Sequence, residues 1–163
     1  MANTATSSTA AAGTPSSAGN DGPFTGGCAC HQRETGSAFA LNAMYEAPLV
    51  GLSTAVQPEL VETSTASGNP QTIARCPACR VAVWSSYGTH GGDRVRIIRV
   101  GTLDNPDLFP PEMHIYTSTK QPWLNLSGDV PFVPEFYHLP DVWPKERLER
   151  LQRALGTSVG VGE

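Results

Sequence analysis

Charge is scarce in this chain. Only 16% of its 163 residues are Asp, Glu, Lys or Arg, against roughly 25% in an average globular protein. Basic residues are the scarcer sign: 11 Lys plus Arg stand against 15 Asp plus Glu, for a formal net charge of −4. A domain that grips a phosphate backbone needs a basic surface to displace counterions. No basic patch interleaved with aromatic residues occurs here, which argues against a nucleic-acid partner. Long apolar runs are missing too. Nothing approaches the ~18 consecutive apolar residues of a membrane span, so no membrane partner is expected. No Lys or Arg precedes Arg33 and no leucine-rich core lies near the N-terminus. Neither a secretory signal nor an Arg-rich transit peptide has that pattern, and a cytoplasmic location is expected. Repeats at solenoid or propeller spacing are also lacking.

Met1 to Gly22 contain no Leu, Ile, Val or aromatic residue. Such a segment buries too little apolar surface to offset about 1–2 kcal/mol of backbone entropy per residue. Residues 1–22 are therefore expected to be a disordered tail, 23–156 one folded domain, and 157–163 a disordered C-terminus. The chain is rich in loop formers, with 14 Pro and 16 Gly, which leans towards a mainly β domain. Arg80–Trp84 and Arg94–Val100 alternate apolar and polar residues, the pattern of half-buried strands. Met113–Thr117 is a further β-rich run, and Leu49–Val61 reads as one or two short strands. A helix is expected at the C-terminus. Pro144 suits its first position, Leu148, Leu151 and Leu155 form an apolar stripe, and Gly156 stands where a cap is needed. Its charged residues, Lys145 to Arg153, read as a solvated face.

All four cysteines fall in two close pairs, Cys28-Ala29-Cys30 and Cys76-Pro77-Ala78-Cys79. Thiolates two or three residues apart on a turn bind an ion from one side, and a distant second pair closes the other side. A structural zinc site fits this pattern. A disulfide framework suits secreted proteins instead, and nothing marks this chain as secreted. A redox pair wants its first Cys at a helix N-terminus, whereas Cys79 runs into an alternating strand. Iron or an iron–sulfur cluster shares the four-thiolate ligand set. These alternatives stay open on spacing alone.

Several segments together resemble one family. They are Gly26-Gly27-Cys28-Ala29-Cys30, Gln32-Arg33-Glu34-Thr35-Gly36-Ser37-Ala38-Phe39-Ala40, and Arg75-Cys76-Pro77-Ala78-Cys79. Val100-Gly101-Thr102-Leu103-Asp104, Met113-His114-Ile115-Tyr116 and Lys120-Gln121-Pro122-Trp123 follow in order. Over roughly Phe24 to Phe136 the chain resembles the glutathione-dependent formaldehyde-activating enzymes, the CENP-V/GFA domain family. The resemblance implies an Mss4-like β-tent of small antiparallel sheets around a zinc site, with Cys28, Cys30, Cys76 and Cys79 as the structural ligands. It also implies a carbon–sulfur lyase acting on the adduct of formaldehyde with glutathione or another small thiol. Arg33 and Thr35, in the family's pocket motif, are the implied substrate-binding residues.

The chain departs from that pattern where a second, catalytic zinc would sit. The family places a C-x-C-x-x-C run just before the Gln32-Arg33-Glu34-Thr35-Gly36 segment; here His31 stands where its last cysteine would be. Either a segment joining the two motifs has been lost, or Cys28 and His31 are what remains of the catalytic run. Four cysteines complete one four-thiolate site and not two, so one zinc ion is expected and the catalytic ion is in question. A zinc-stabilised scaffold or binding module without turnover, or a truncated gene product, is the alternative reading. His31 is the one candidate replacement ligand. His90 reads as solvent-facing, His114 as a sheet residue, and Trp123 as a packing anchor. The oligomeric state is not legible.

Overall fold

The structure, a computed structural model, describes residues 24–28, 32–53, 55–65, 68–126 and 128–156, with side chains described from Glu34 onward. The expected tails at 1–22 and 157–163 lie outside the described residues. Among the described residues the strands are β1 (Phe24–Cys28), β2 (Ala40–Glu46), β3 (Glu59–Thr63), β4 (Gln71–Arg75), β5 (Ala82–Tyr87), β6 (Val95–Arg99) and β7 (Met113–Ile115). They form one sheet in the order β3-β4-β5-β6-β2-β1-β7. Neighbours pair antiparallel, except that β7 runs parallel to β1. The domain is mainly β with one main C-terminal helix, as expected, and its antiparallel pairs join into one continuous ladder.

β2 lies near the middle of this ladder and is covered on both faces. Ala40, Asn42, Ala43, Tyr45 and Glu46 are all buried. A strand buried on both faces loses the apolar–polar alternation that reveals strands in a sequence. Ala43 and Tyr45 join Ala74, Val83, Trp84, Ile98, Val100 and Leu103 in the larger core cluster. Met44, between them, packs against a second cluster formed by Met113 and Trp143. The edge strand β3 is mostly exposed. The segment expected as strand from Leu49 reaches the sheet only at Glu59; before it, Ala47–Leu49 is a 3-10 turn opened by Pro48. Proline lacks the N–H a ladder needs.

The helices are α1 (Gln32–Thr35), α2 (Leu139–Val142) and α3 (Lys145–Leu155). α3 begins one residue after Pro144 and ends at Gly156, whose φ of 68° is the left-handed cap glycine supplies at least cost. Leu148 and Leu151 pack on the Met113–Trp143 cluster, and the Trp143 indole N–H donates to the Tyr137 hydroxyl at 3.0 Å. The charged face of α3 is not only solvated, as expected. Arg150 Nε donates to Glu46 Oε1 at 2.5 Å, and Arg147 pairs with Glu112 at 3.2 Å. The helix lies across the sheet, so its arginines reach carboxylates on β2 and before β7. At its far end Arg94 donates to the Leu155 carbonyl.

Candidate functional site

The chemistry-bearing residues converge on the hairpin between β4 and β5 and on what packs against it. The chain leaves β4 at Cys76 and turns through Cys76-Pro77-Ala78-Cys79. The Arg80 N–H donates to the Cys76 carbonyl at 2.8 Å, and the Cys76 N–H to the Val81 carbonyl at 2.9 Å. Arg80 closes the turn at φ 63°, a left-handed conformation that costs a residue with a side chain about 1–2 kcal/mol. Cys76 is 2% exposed, while Cys79 stands at the surface; neither is in a disulfide. The turn therefore holds one thiol inward and one outward, three positions apart.

Arg75 fixes what lies beside this turn. Its Nη1 donates to the Arg80 carbonyl at 3.1 Å, and its Nη2 donates to Glu34 Oε1 at 2.5 Å. That ion pair draws α1 against β4, the strand that ends at Arg75. Between them opens a cleft of about 660 Å³. Glu34 and Thr35 line it from α1, Arg75, Cys79 and Arg80 from the hairpin, and Arg99 to Thr102 from the end of β6. Thr102 holds that last corner by donating its hydroxyl to the Arg99 carbonyl at 2.7 Å.

Arg99 is the unusual member. It is 7% exposed and its Nη1 donates to Asn42 Oδ1 at 2.5 Å, while Nε and Nη2 meet no acceptor among the described residues. Burial pulls its pKa below the ordinary arginine value; Tyr87 and Glu34 oppose the shift, and Arg75 adds to it. Buried Ser85 Oγ and Gln71 Oε1, on neighbouring strands, also meet no partner among the described residues.

The residues expected to act fall as follows. Thr35 lines the cleft, and its Oγ1 accepts the Ser37 N–H at 3.2 Å. Cys76 and Cys79 sit at the cleft's hairpin. Cys28 ends β1, with Ala40 and Ile115 as its Cα partners, but its side chain lies outside the described residues. So does the side chain of Arg33, on α1; Cys30 and His31 lie wholly outside them. Among the described residues no group of three or more His, Cys, Asp or Glu is placed to hold a metal ion. Of the four expected ligands, Cys76 and Cys79 have described side chains.

Two expectations are corrected. His90 is not simply solvent-facing: its ring meets Phe136 edge-on at 5.0 Å and Tyr87 at 5.9 Å, and burial lowers its pKa. The Gly88–His90 turn folds back on the strand it leaves, which seats the imidazole among rings. Trp123 does not anchor a core. It is 64% exposed, because the turn closes on itself through Leu124 N–H to the Gln121 carbonyl and Trp123 Nε1 to Gln121 Oε1. His114 is a half-buried sheet residue, bonded through its backbone to Pro131 and Val133. His138 pairs with Asp141 at the surface.

Sequence reasoning passed over Arg75, Arg99 and Glu34. A signal existed for Arg99: in β6 it shares the alternation of Val95 and Ile97, so a cation falls on an apolar register.

Among curated proteins no relative matches the chain. The family model described as glutathione-dependent formaldehyde-activating enzyme matches residues 19–119, more than half of the chain, and this span includes both cysteine pairs, α1 and the corner after β6. The chain belongs to the glutathione-dependent formaldehyde-activating enzyme family.

Proposed function

We propose that this chain is a carbon–sulfur lyase that takes a thiol–aldehyde adduct of the glutathione class in the cleft between α1 and the β4–β5 hairpin. The observation that carries the reading is the cleft itself, which opens between Thr35 and the Cys76–Cys79 turn. In the forward sense the thiol sulfur attacks the aldehyde carbon. The carbon–sulfur bond forms, the carbonyl electron pair moves to oxygen, and the proton lost by the thiol ends on that oxygen. Thr35 and Arg33 are the residues proposed to hold the adduct.

Cys28, Cys30, Cys76 and Cys79 are proposed to hold one zinc ion. What supports this is the hairpin's strained closure at Arg80; strain of that kind persists where surrounding structure or a ligand determines it. Zinc held by four thiolates supplies folding free energy, about 10–16 kcal/mol in small peptides. The chain has four cysteines in all. That count favours a second reading, in which the same domain binds the adduct without turning it over, because no thiolates remain for an open zinc site.

Zinc analysis of the purified protein, paired with an assay of adduct formation from formaldehyde and glutathione, separates these readings. One zinc per chain with formation above the uncatalysed rate is the expected result. One zinc with adduct binding but no acceleration selects the binding module. Absence of zinc overturns the proposed ligand set.

A further inference from the structure

Arg75 and Arg80, on the cleft wall, have counterions in Glu34 and Glu59. The apolar residues that line the same cleft are left half open to water. They come in two uninterrupted runs, Phe39-Ala40-Leu41 where the chain enters β2 and Val81-Ala82 where it leaves the cysteine turn. Phe39 is 49% exposed and Val81 46%, while Leu41 is partly buried and packs on the larger core cluster. Apolar side chains exposed singly are ordinary on a protein surface. Here two large ones open on one cavity, and Leu41 joins that cavity to the core. Formaldehyde, the aldehyde in the family's description, brings one carbon bearing two hydrogens and has nothing to lay on such a wall. A longer aldehyde does: each methylene taken out of water raises affinity about fourfold.

We infer that the adduct this cleft prefers carries an alkyl chain of several carbons on its aldehyde half, and that the chain lies against Phe39, Leu41 and Val81. The inference rests on the lyase reading proposed above and adds to it the class of aldehyde, a medium-chain aliphatic one. The bond changes stay the same. The thiol sulfur bonds to the carbonyl carbon, the carbonyl electron pair moves to oxygen, and the thiol proton ends on that oxygen. The alkyl chain remains on the carbon throughout.

The test uses stable thioethers that stand in for the adduct without its hydroxyl: S-methylglutathione for formaldehyde and S-hexylglutathione for hexanal. In calorimetric titration of the full chain, the hexyl compound should bind at least about tenfold more tightly, the gain from burying some two methylenes. Phe39→Ser and Val81→Ser should each shrink that ratio severalfold. Phe132→Ser, at an exposed apolar residue outside the cleft lining, should leave the ratio as it is. Equal affinity for the two compounds, or a ratio that Phe132→Ser lowers as much as Phe39→Ser does, overturns the apolar wall. Should one cleft variant fail to fold, the other variant and the unmodified protein's ratio still decide. Catalysed addition of glutathione is expected to outpace the uncatalysed reaction by more for hexanal than for formaldehyde. Acceleration confined to formaldehyde sinks the wall and spares the lyase reading. A Phe39-dependent gain with chain length, without acceleration of either aldehyde, does the reverse. Binding of neither compound overturns both.

Discussion

Strand β2 carries a buried polar side chain towards each end, Asn42 and Glu46, each 9% exposed. The two ends solve the burial of charge differently. Under α3, Glu46 meets Arg150, so opposite charges face each other at 2.5 Å and fasten helix to sheet. At the cleft, Asn42 gives Arg99 an amide oxygen at 2.5 Å, while Tyr87 and the Glu34 carboxylate act on the same guanidinium. A direct ion pair fastens two elements; a cation shared among several weaker partners on a cleft wall is free to respond to what enters the cleft. The helix end should therefore fail in stability measurements and the cleft end in binding ones.

The largest expected effect lies on the cleft side, where stability and site coincide. Cys76→Ser is predicted to abolish cooperative unfolding and to lower the zinc content. A zinc site contributes about 10–16 kcal/mol in small peptides, far more than the remaining packing can replace. If Cys76 were only a buried apolar thiol, the cost would stay near the 1–3 kcal/mol, roughly, of an ordinary buried polar substitution. Chemical denaturation with parallel metal analysis distinguishes the two.

On the helix side, Trp143→Ala is predicted to cost about 3–5 kcal/mol, the range for deleting a buried indole. Trp143 is 7% exposed, centres the cluster under α3 and bonds Tyr137. Adduct binding should survive wherever the variant remains folded. Loss of binding in the folded variant would erase the distinction between the two ends. Glu46→Gln comes next, at about 1–3 kcal/mol, because a hydrogen bond to a charged group is lost while Arg150 stays partly buried. A double-mutant cycle with Arg150→Met should return a favourable coupling; zero coupling would mean that the pair does not fasten the helix.

How far these regions were legible in the sequence follows from the same contrast. The helix end could be read: Leu148, Leu151 and Leu155 carry the period of α3, and Gly156 caps it in the left-handed conformation expected of it. The strands β5 and β6 were legible because apolar and polar residue types alternate along them, although β5 begins at Ala82 and not at the expected Arg80, which lies in the turn. β2 was not, since residues such as Ala43 and Asn42 are buried on opposite faces and no alternation remains. Spacing singles out Cys76 and Cys79, and a motif Thr35; the structure places Thr35 and Cys79 on the lining of one cleft. Arg75 and Arg99 were missed because an arginine in a strand reads as solvent-facing until its neighbours across the sheet are known. Trp123 was misplaced for the converse reason: whether a turn leaves its ring inside or outside depends on local closure through Gln121.

A smaller stability effect is expected at Gly91, which joins the two ends' concerns at the end of α3. Its φ is 91°, and an added Cβ would stand 2.5 Å from Leu155 Cδ2 and 2.8 Å from Val95 Cγ2. Gly91→Ala combines left-handed strain with overpacking, together about 1–3 kcal/mol. Thermal unfolding should shift down with no change in zinc content. An unchanged midpoint would show that Leu155 moves aside freely.

The smallest effect is a pH slope, and it sharpens the comparison by probing a site that belongs to neither end. His90 is packed among Tyr87 and Phe136, and burial holds its pKa below the ordinary 6.5. The folded protein therefore binds this proton less readily than the unfolded chain. Above about pH 6.5 the imidazole is neutral in both states and the group adds no pH dependence. As pH falls through 6.5 the unfolded chain takes up the proton first, so stability declines until the folded-state pKa is passed. His114, whose pKa burial also lowers, acts with the same sign. His90→Gln should flatten the decline between neutral and mildly acidic pH, leaving the share due to His114, without altering stability at pH 8 by the same amount. A slope unaffected by the substitution would place the acid sensitivity elsewhere. The cysteines proposed to bind zinc are then the next groups to test, since thiolates released from a metal take up protons and drive unfolding in the same direction.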